Sequence, residues 1–226
     1  MNLLNILDTF QLNKIPYRDY GTDKNTWHTY ISNFYEERFL PYKEQPISLL
    51  EIGIETGASL KLWGEYFSNA ISIVGVDLSN GKLLPEFNSN ATIIEGDAYS
   101  NDTADSLGDF DIIIDDASHN HQDHLKFFEL YIPKLKSGGI LVIEDIQRYE
   151  YFQDSEPVEN LENNSNDLFD ENIDFPTLVK EQWVGLITKF NEVCQANNLT
   201  NLSYEIVDLR NSSQRYDDLL FVITAS

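Results

Sequence analysis

Two apolar runs in this chain stop abruptly on groups that hold cations or move protons. Ile112-Ile113-Ile114 ends at Asp115-Asp116, with His119 three residues further on, and Ile140-Leu141-Val142-Ile143 ends at Glu144-Asp145. Short, unbroken apolar runs of this kind are expected to be buried parallel strands. Their C-terminal ends then deliver carboxylates and an imidazole to one crevice, the edge where open α/β sheets bind ligands. Carboxylates converging there beside an imidazole suggest a hard divalent cation next to a general base. Zinc is not expected, because suitable Cys or paired-His spacing is lacking.

The elements that must position these groups follow in a regular order. Strand patterns at Ser48–Ile52, Ile71–Val76, Ala91–Ile94, Phe110–Asp115 and Ile140–Ile143 alternate with helical ones at Ala58–Phe67 and about Gln122–Leu135. A long amphipathic helix is expected from about Pro176 to Asn197. Two closing strands, Leu202–Leu209 and Leu219–Thr224, are joined by a polar turn short enough to make them antiparallel. The fold class expected is α/β: Rossmann-like, doubly wound, a mostly parallel seven-stranded sheet with a C-terminal antiparallel hairpin. Residues 1–45 read as an N-terminal helical cap or lid and 46–226 as the main domain. An insertion at about 149–175 carries nine acids and no Lys or Arg; placed after Glu144-Asp145, it is a candidate lid.

Composition bounds the function. The 226 residues carry a net charge of −23, which argues against nucleic acid and against anionic membranes, since both need a basic surface. No signal, transmembrane or lipidation motif is seen, so a soluble cytoplasmic protein is expected. The lone Cys194 falls in a helical pattern and is expected to be a core thiol. Trp63 and Trp183 are expected in the core, and His121 and His124 on the surface.

The glycine loop narrows the ligand. Leu50-Glu51-Ile52-Gly53-Ile54-Glu55-Thr56-Gly57-Ala58-Ser59 has the spacing E-x-G-x-x-x-G, so the dinucleotide fingerprint G-x-G-x-x-G is absent. Asp77 ends the next strand about twenty residues on, where an acid bonds ribose hydroxyls. Asp97, after the third strand, is placed to accept from an exocyclic amine.

Here the chain resembles a known family. Glu51–Gly57, Val76–Ser79, Glu95–Ala98 and Phe110–Asp116 are similar to the successive motifs of class I S-adenosylmethionine-dependent methyltransferases. The resemblance implies that Gly53 and Gly57 flank the methionine moiety, Asp77 holds the ribose, and Asp97 with Ala98 contacts the adenine. Glu51 and Ser59 belong to the same cofactor loop. Asp115 is left between orienting the site or cofactor and binding metal.

A narrower resemblance is carried by Tyr20-Gly21-Thr22-Asp23-Lys24 with His28 and Tyr30, by Gly57-x-Ser59-Leu60 and Trp63, by Asp115-Asp116-x-Ser118-His119, and by Glu144-Asp145. Together they resemble the metal-dependent O-methyltransferases of macrolide deoxysugars, which are similar to cephalosporin-hydroxylase-like proteins. The resemblance implies Asp116, Glu144 and Asp145 as ligands of Mg²⁺ or another hard divalent cation, and His119 as the catalytic base, with Asp116 beside it. It also implies Thr22, Asp23, Lys24, His28 and Tyr30 as a lid over cofactor and substrate, and a homo-oligomer. The acceptor expected is a sugar, in a small-molecule glycoside or a polysaccharide. The competing readings are a dinucleotide-dependent oxidoreductase, disfavoured by the loop spacing and the closing hairpin, and a non-catalytic binding protein of the same fold. A phosphoryl-transfer enzyme would want a basic clamp, and the pocket segments offer little beyond Lys24 and Arg148.

Overall fold

The computed structural model describes residues 1–14, 19–79, 83, 91–146, 180–213, 215 and 217–226. Its strands are β1 (Ser48–Ile52), β2 (Ser72–Asp77), β3 (Ala91–Glu95), β4 (Phe110–Asp115), β5 (Leu135–Ile143), β6 (Leu202–Asp208) and β7 (Leu219–Ala225). Its main helices are α1 (Leu3–Thr9), α2 (Ala58–Tyr66), α3 (Asn101–Asp105), α4 (His121–Tyr131) and α5 (Lys180–Ala196). The strands form one sheet in the order β3-β2-β1-β4-β5-β7-β6. The first five are parallel; β7 runs antiparallel between β5 and β6. The α/β class, the seven strands and the antiparallel hairpin are as the sequence led us to expect.

Alternation along the strands builds two cores. Leu49, Ile112, Val142 and Val222 face α1, α2 and the N-terminal segment, while Leu50, Ile113, Leu141 and Phe221 face α4 and α5. Each fully buried side chain of this kind contributes roughly 1.5–3 kcal/mol. In the first core, Tyr35 at the end of a π-helical turn, Ile31–Tyr35, and Phe39 beyond it each meet Trp63 edge-on, and Phe39 also packs on Phe67. Trp63 and Trp183 are buried as expected. Cys194 is half-buried and packs against the second core.

Element boundaries moved where caps and packing overrode periodicity. Asn120 accepts from the Gln122 N–H at 2.8 Å, so α4 starts at His121. It stops at Tyr131, and β5 reaches back to Leu135. His124 is a correction: it is 2 % exposed rather than on the surface. Four residues into α4 it faces the core, and burial pushes its imidazole down to about 3. The acidic insertion at about 149–175, Arg148 and the expected helix start at Pro176 lie outside the described residues.

One glycine is dictated by the fold. Gly53 leaves β1 with φ +79°, and a Cβ there would run into the carbonyl of Asp116 and the Cα of Ala117. Both obstacles are backbone of the neighbouring strand end and cannot swing away. Gly53→Ala is therefore expected to lose roughly 2–5 kcal/mol from left-handed strain and overlap together. Urea unfolding measures it, and a loss under about 1 kcal/mol would show that the two strand ends part freely.

Candidate functional site

The C-terminal ends of β1, β2, β4 and β5 are laced together by backbone bonds. Gly53 N–H donates to Val76 O, Asp116 N–H to Ile52 O and Glu144 N–H to Asp115 O, each at 2.9 Å. A cleft of about 500 Å³ opens above them. Gly53, Ser59, Asp77, Asp97, Ala98, Asp116, His119, Asp145, Thr22 and Asp23 line it.

On the β1–β3 side the acids are used to shape loops. Asp77 Oδ2 accepts from the Ile54 and Glu55 N–H groups at 2.9 and 3.0 Å, and Oδ1 from Ser79 N–H at 3.1 Å. That pins the glycine loop against the end of β2. Gly57, φ +75°, turns the chain into α2. Asp97 Oδ1 accepts from Tyr99 N–H at 2.9 Å. Glu51 stands behind the wall: it is fully buried in β1 and accepts from Trp63 Nε1 at 3.1 Å. Desolvation raises its carboxyl to about 7, although Lys24 pulls the other way. Asp115 is likewise buried; desolvation raises it to about 7 against the Tyr99 hydroxyl, which donates to Oδ1 at 2.9 Å.

On the β4–β5 side the charges converge. Donor atoms of Asp116, His119 and Asp145 lie within 4.8 Å of one another, and all three residues reach the cleft. His119 Nε2 is 3.9 Å from Asp145 Oδ2. Behind them the N-terminal segment supplies a layer of donors. The Lys24 ammonium sits 2.6 Å from Asp116 Oδ2, 2.6 Å from Glu144 Oε2 and 3.4 Å from Glu51 Oε1. Tyr35 donates its hydroxyl to Glu144 Oε1 and Tyr30 to Asp145 Oδ1. His28 Nδ1 bonds Asp218 Oδ1 and lies 3.4 Å from Asp145 Oδ1.

These pairs set the charges. Burial works against the Lys24 ammonium, but Asp116, Glu144 and Glu51 outweigh it and hold its pKa well above the usual value. Glu144 is pushed up by desolvation and by Asp116 and Asp145, with Lys24 opposing. Asp145 rises to about 6, chiefly through desolvation, with His28 and His119 opposing. Burial also opposes the charge on His28, and Asp145 and Asp218 override it, raising it to about 10.

The set expected for an ion is thus split. Asp116 and Asp145 present oxygens to the cleft beside His119, a donor set that fits a hard cation. Both Glu144 oxygens face donors of the N-terminal segment instead. Thr22 and Asp23 reach the cleft, whereas Lys24, His28 and Tyr30 lie beneath the acids as a floor. His119 and Asp145 both hold left-handed backbone, φ +53° and +51°. Such conformations cost about 1–3 kcal/mol each and are kept where surroundings over-determine them.

Sequence reasoning missed Tyr35 and Asp218. Tyr35 is hidden in an aromatic run. Asp217-Asp218 had a readable signal: they precede an apolar strand, and a strand antiparallel to β5 begins at the edge where β5 ends.

Residues 50–146 match the profile of a family described as a methyltransferase domain. The chain is 32% identical over 137 residues to the 8-demethyl-8-α-L-rhamnosyl tetracenomycin-C 2′-O-methyltransferase of Streptomyces olivaceus, covering 57% of this chain and 36% of that one. It is 31% identical over 147 residues to the L-olivosyl-oleandolide 3-O-methyltransferase of Streptomyces antibioticus, covering 61% and 38%. The matches thus span little more than a third of these relatives. Among solved structures, the MycE methyltransferase of the mycinamycin pathway, in complex with Mg, SAH and mycinamycin VI, overlays all of this chain and 54% of its own, with a TM-score of 0.65 at 20% identity. At that identity the likeness is one of fold. No helix among the described residues is long and apolar enough to cross a membrane.

The Lys24 ammonium offers a direct test. Lys24→Met keeps the packing volume but leaves Glu144 and Asp116 without their buried counter-ion. A stability loss of about 3–5 kcal/mol is expected, measured by thermal or urea unfolding. A loss under about 1 kcal/mol would mean that the acids do not need it.

Proposed function

We propose that this chain transfers the methyl group of S-adenosylmethionine to a sugar hydroxyl of a glycoside, polysaccharide or other natural product, assisted by Mg²⁺ or another hard divalent cation. The observation that carries this reading is that Asp116, His119 and Asp145 open into the same cleft as the Gly53 loop, Asp77, Asp97 and Ala98. A cofactor loop and a proton-handling cluster therefore share one cavity. The O-methyltransferase names of the sequence relatives support the choice of a sugar oxygen as acceptor.

Gly53, Gly57 and Ser59 are assigned to the methionine end of the cofactor, Asp77 to the ribose, and Asp97 with Ala98 to the adenine. Asp77 already spends Oδ2 on the glycine loop and Oδ1 on Ser79 N–H, so it presents that loop as much as it meets the ribose. Asp116 and Asp145 would hold the ion. Glu144, also expected as a ligand, is tied to Asp116 through their shared ammonium. When bound, such an ion lowers the pKa of a coordinated hydroxyl and fixes neighbouring sugar oxygens.

His119 removes the hydroxyl proton as the sugar oxygen attacks the sulfonium methyl. The O–C bond forms, the C–S bond breaks, S-adenosylhomocysteine leaves, and the proton ends on the imidazole. Asp145 Oδ2, 3.9 Å from His119 Nε2, steadies the resulting charge. Positioning in systems of this kind supplies up to roughly 7–11 kcal/mol.

Calorimetric titration with S-adenosylmethionine, with and without Mg²⁺ and against NAD, tests the cofactor assignment. Binding of S-adenosylmethionine and not NAD is expected; binding of NAD alone would replace this reading with an oxidoreductase. With a sugar acceptor found by screening, His119→Ala is expected to retain cofactor affinity and lose about 10²–10⁴-fold in turnover. Undiminished turnover would remove the base from His119.

A further inference from the structure

The hairpin between β6 and β7 places two acids, Asp217 and Asp218, at the edge where β5 delivers Asp145. Asp217 is committed to Arg215, whose Nε and Nη2 donate at 2.9 and 2.7 Å. Asp218 is different. It is fully buried, a costly place for a carboxylate unless its partners are fixed. Its Oδ1 meets His28 Nδ1, and its Oδ2 accepts from Thr29 N–H at 3.4 Å.

His28 is therefore oriented from below by the far end of the chain. Its ring stacks on Tyr30, with centroids 4.7 Å apart and planes at 19°. Tyr30 donates to Asp145 Oδ1, and His28 Nδ1 lies 3.4 Å from the same oxygen. Both N-terminal groups thus address one Asp145 oxygen. The other, Oδ2, faces His119 and the cleft.

We propose that Asp218, acting through His28 and the stacked Tyr30, is the positioning residue of Asp145, holding its Oδ1 so that Oδ2 is presented to the ion and the acceptor. This rests on the assignment of Asp145 to the ion. Groups one step behind a ligand typically change metal affinity by 10–100-fold when removed. An alternative role for His28, Asp217 and Asp218 as an ion site of their own is opposed by the Arg215 guanidinium on Asp217.

The test is Mn²⁺ affinity, read by electron paramagnetic resonance on the purified chain without acceptor. Asp218→Asn, His28→Gln and the double variant are compared with the unsubstituted protein. S-adenosylmethionine affinity and melting temperature are measured alongside. Each single variant is expected to bind Mn²⁺ at least about tenfold more weakly, with cofactor affinity held within about threefold. Because Asp218 acts through His28, the double variant should bind no more weakly than His28→Gln.

Unchanged Mn²⁺ affinity in the single variants would overturn the proposal. So would losses that multiply in the double variant, or Mn²⁺ and cofactor affinities that fall together with the melting temperature. His28→Gln leaves the hairpin acids in place and decides the matter if Asp218→Asn does not fold. Failure of the unsubstituted protein to bind Mn²⁺ at millimolar concentration is a separate outcome: it overturns the ion site itself and the positioning role with it.

Discussion

One buried ammonium holds the functional edge of this sheet together. Three strands, β1, β4 and β5, end with Glu51, Asp116 and Glu144 crowded within reach of Lys24 Nζ. Left to themselves, three carboxylates this close would repel one another, and the two that are fully buried, Glu51 and Glu144, would be costly to keep charged. Lys24 removes that frustration at the cost of its own dehydration: its buried ammonium stands 2.6 Å from both Glu144 and Asp116, and only Asp116 keeps a face open to the cleft. Burying an ion pair is rarely a net source of stability. Its value here is geometric: a cation that satisfies acids from separate strands fixes where those strand ends stand.

The same contact explains why residues 20–35 are not a removable cover. Lys24, His28, Tyr30 and Tyr35 each place a donor against an acid of the sheet edge. Above this floor the backbone of Asp145 and His119 is bent into the left-handed region. A strained residue stays put only if its side chain has no better option, and Tyr30 and His28 deny Asp145 one. The position of Asp145 at the cleft is thus held by the segment behind it.

Much of this was legible in the chain. The strands declared themselves because a parallel strand buried on both faces needs uninterrupted apolar residues, and Asp115 and Glu144 broke those runs at the ligand edge. Gly53 announced its turn because no side chain fits between β1 and the end of β4. What stayed hidden was depth. Lys24 sits among polar neighbours and gave no local sign of being buried, so it was read with a lid. His124 was read as polar and therefore outside, whereas its place on α4 aims it inward. Asp218 could be placed only through the topology, because its partner lies 190 residues away in sequence.

That separation also ties the site to distant parts of the chain. The contacts that arrange the acids join residues 92, 120 and 190 positions apart, while the strands and helices themselves form from nearer neighbours. Closing such loops costs entropy that nothing local repays. The site is therefore complete only where β7 lies between β5 and β6 and the N-terminal segment is docked beneath the sheet edge, so loosening either one would release the acids.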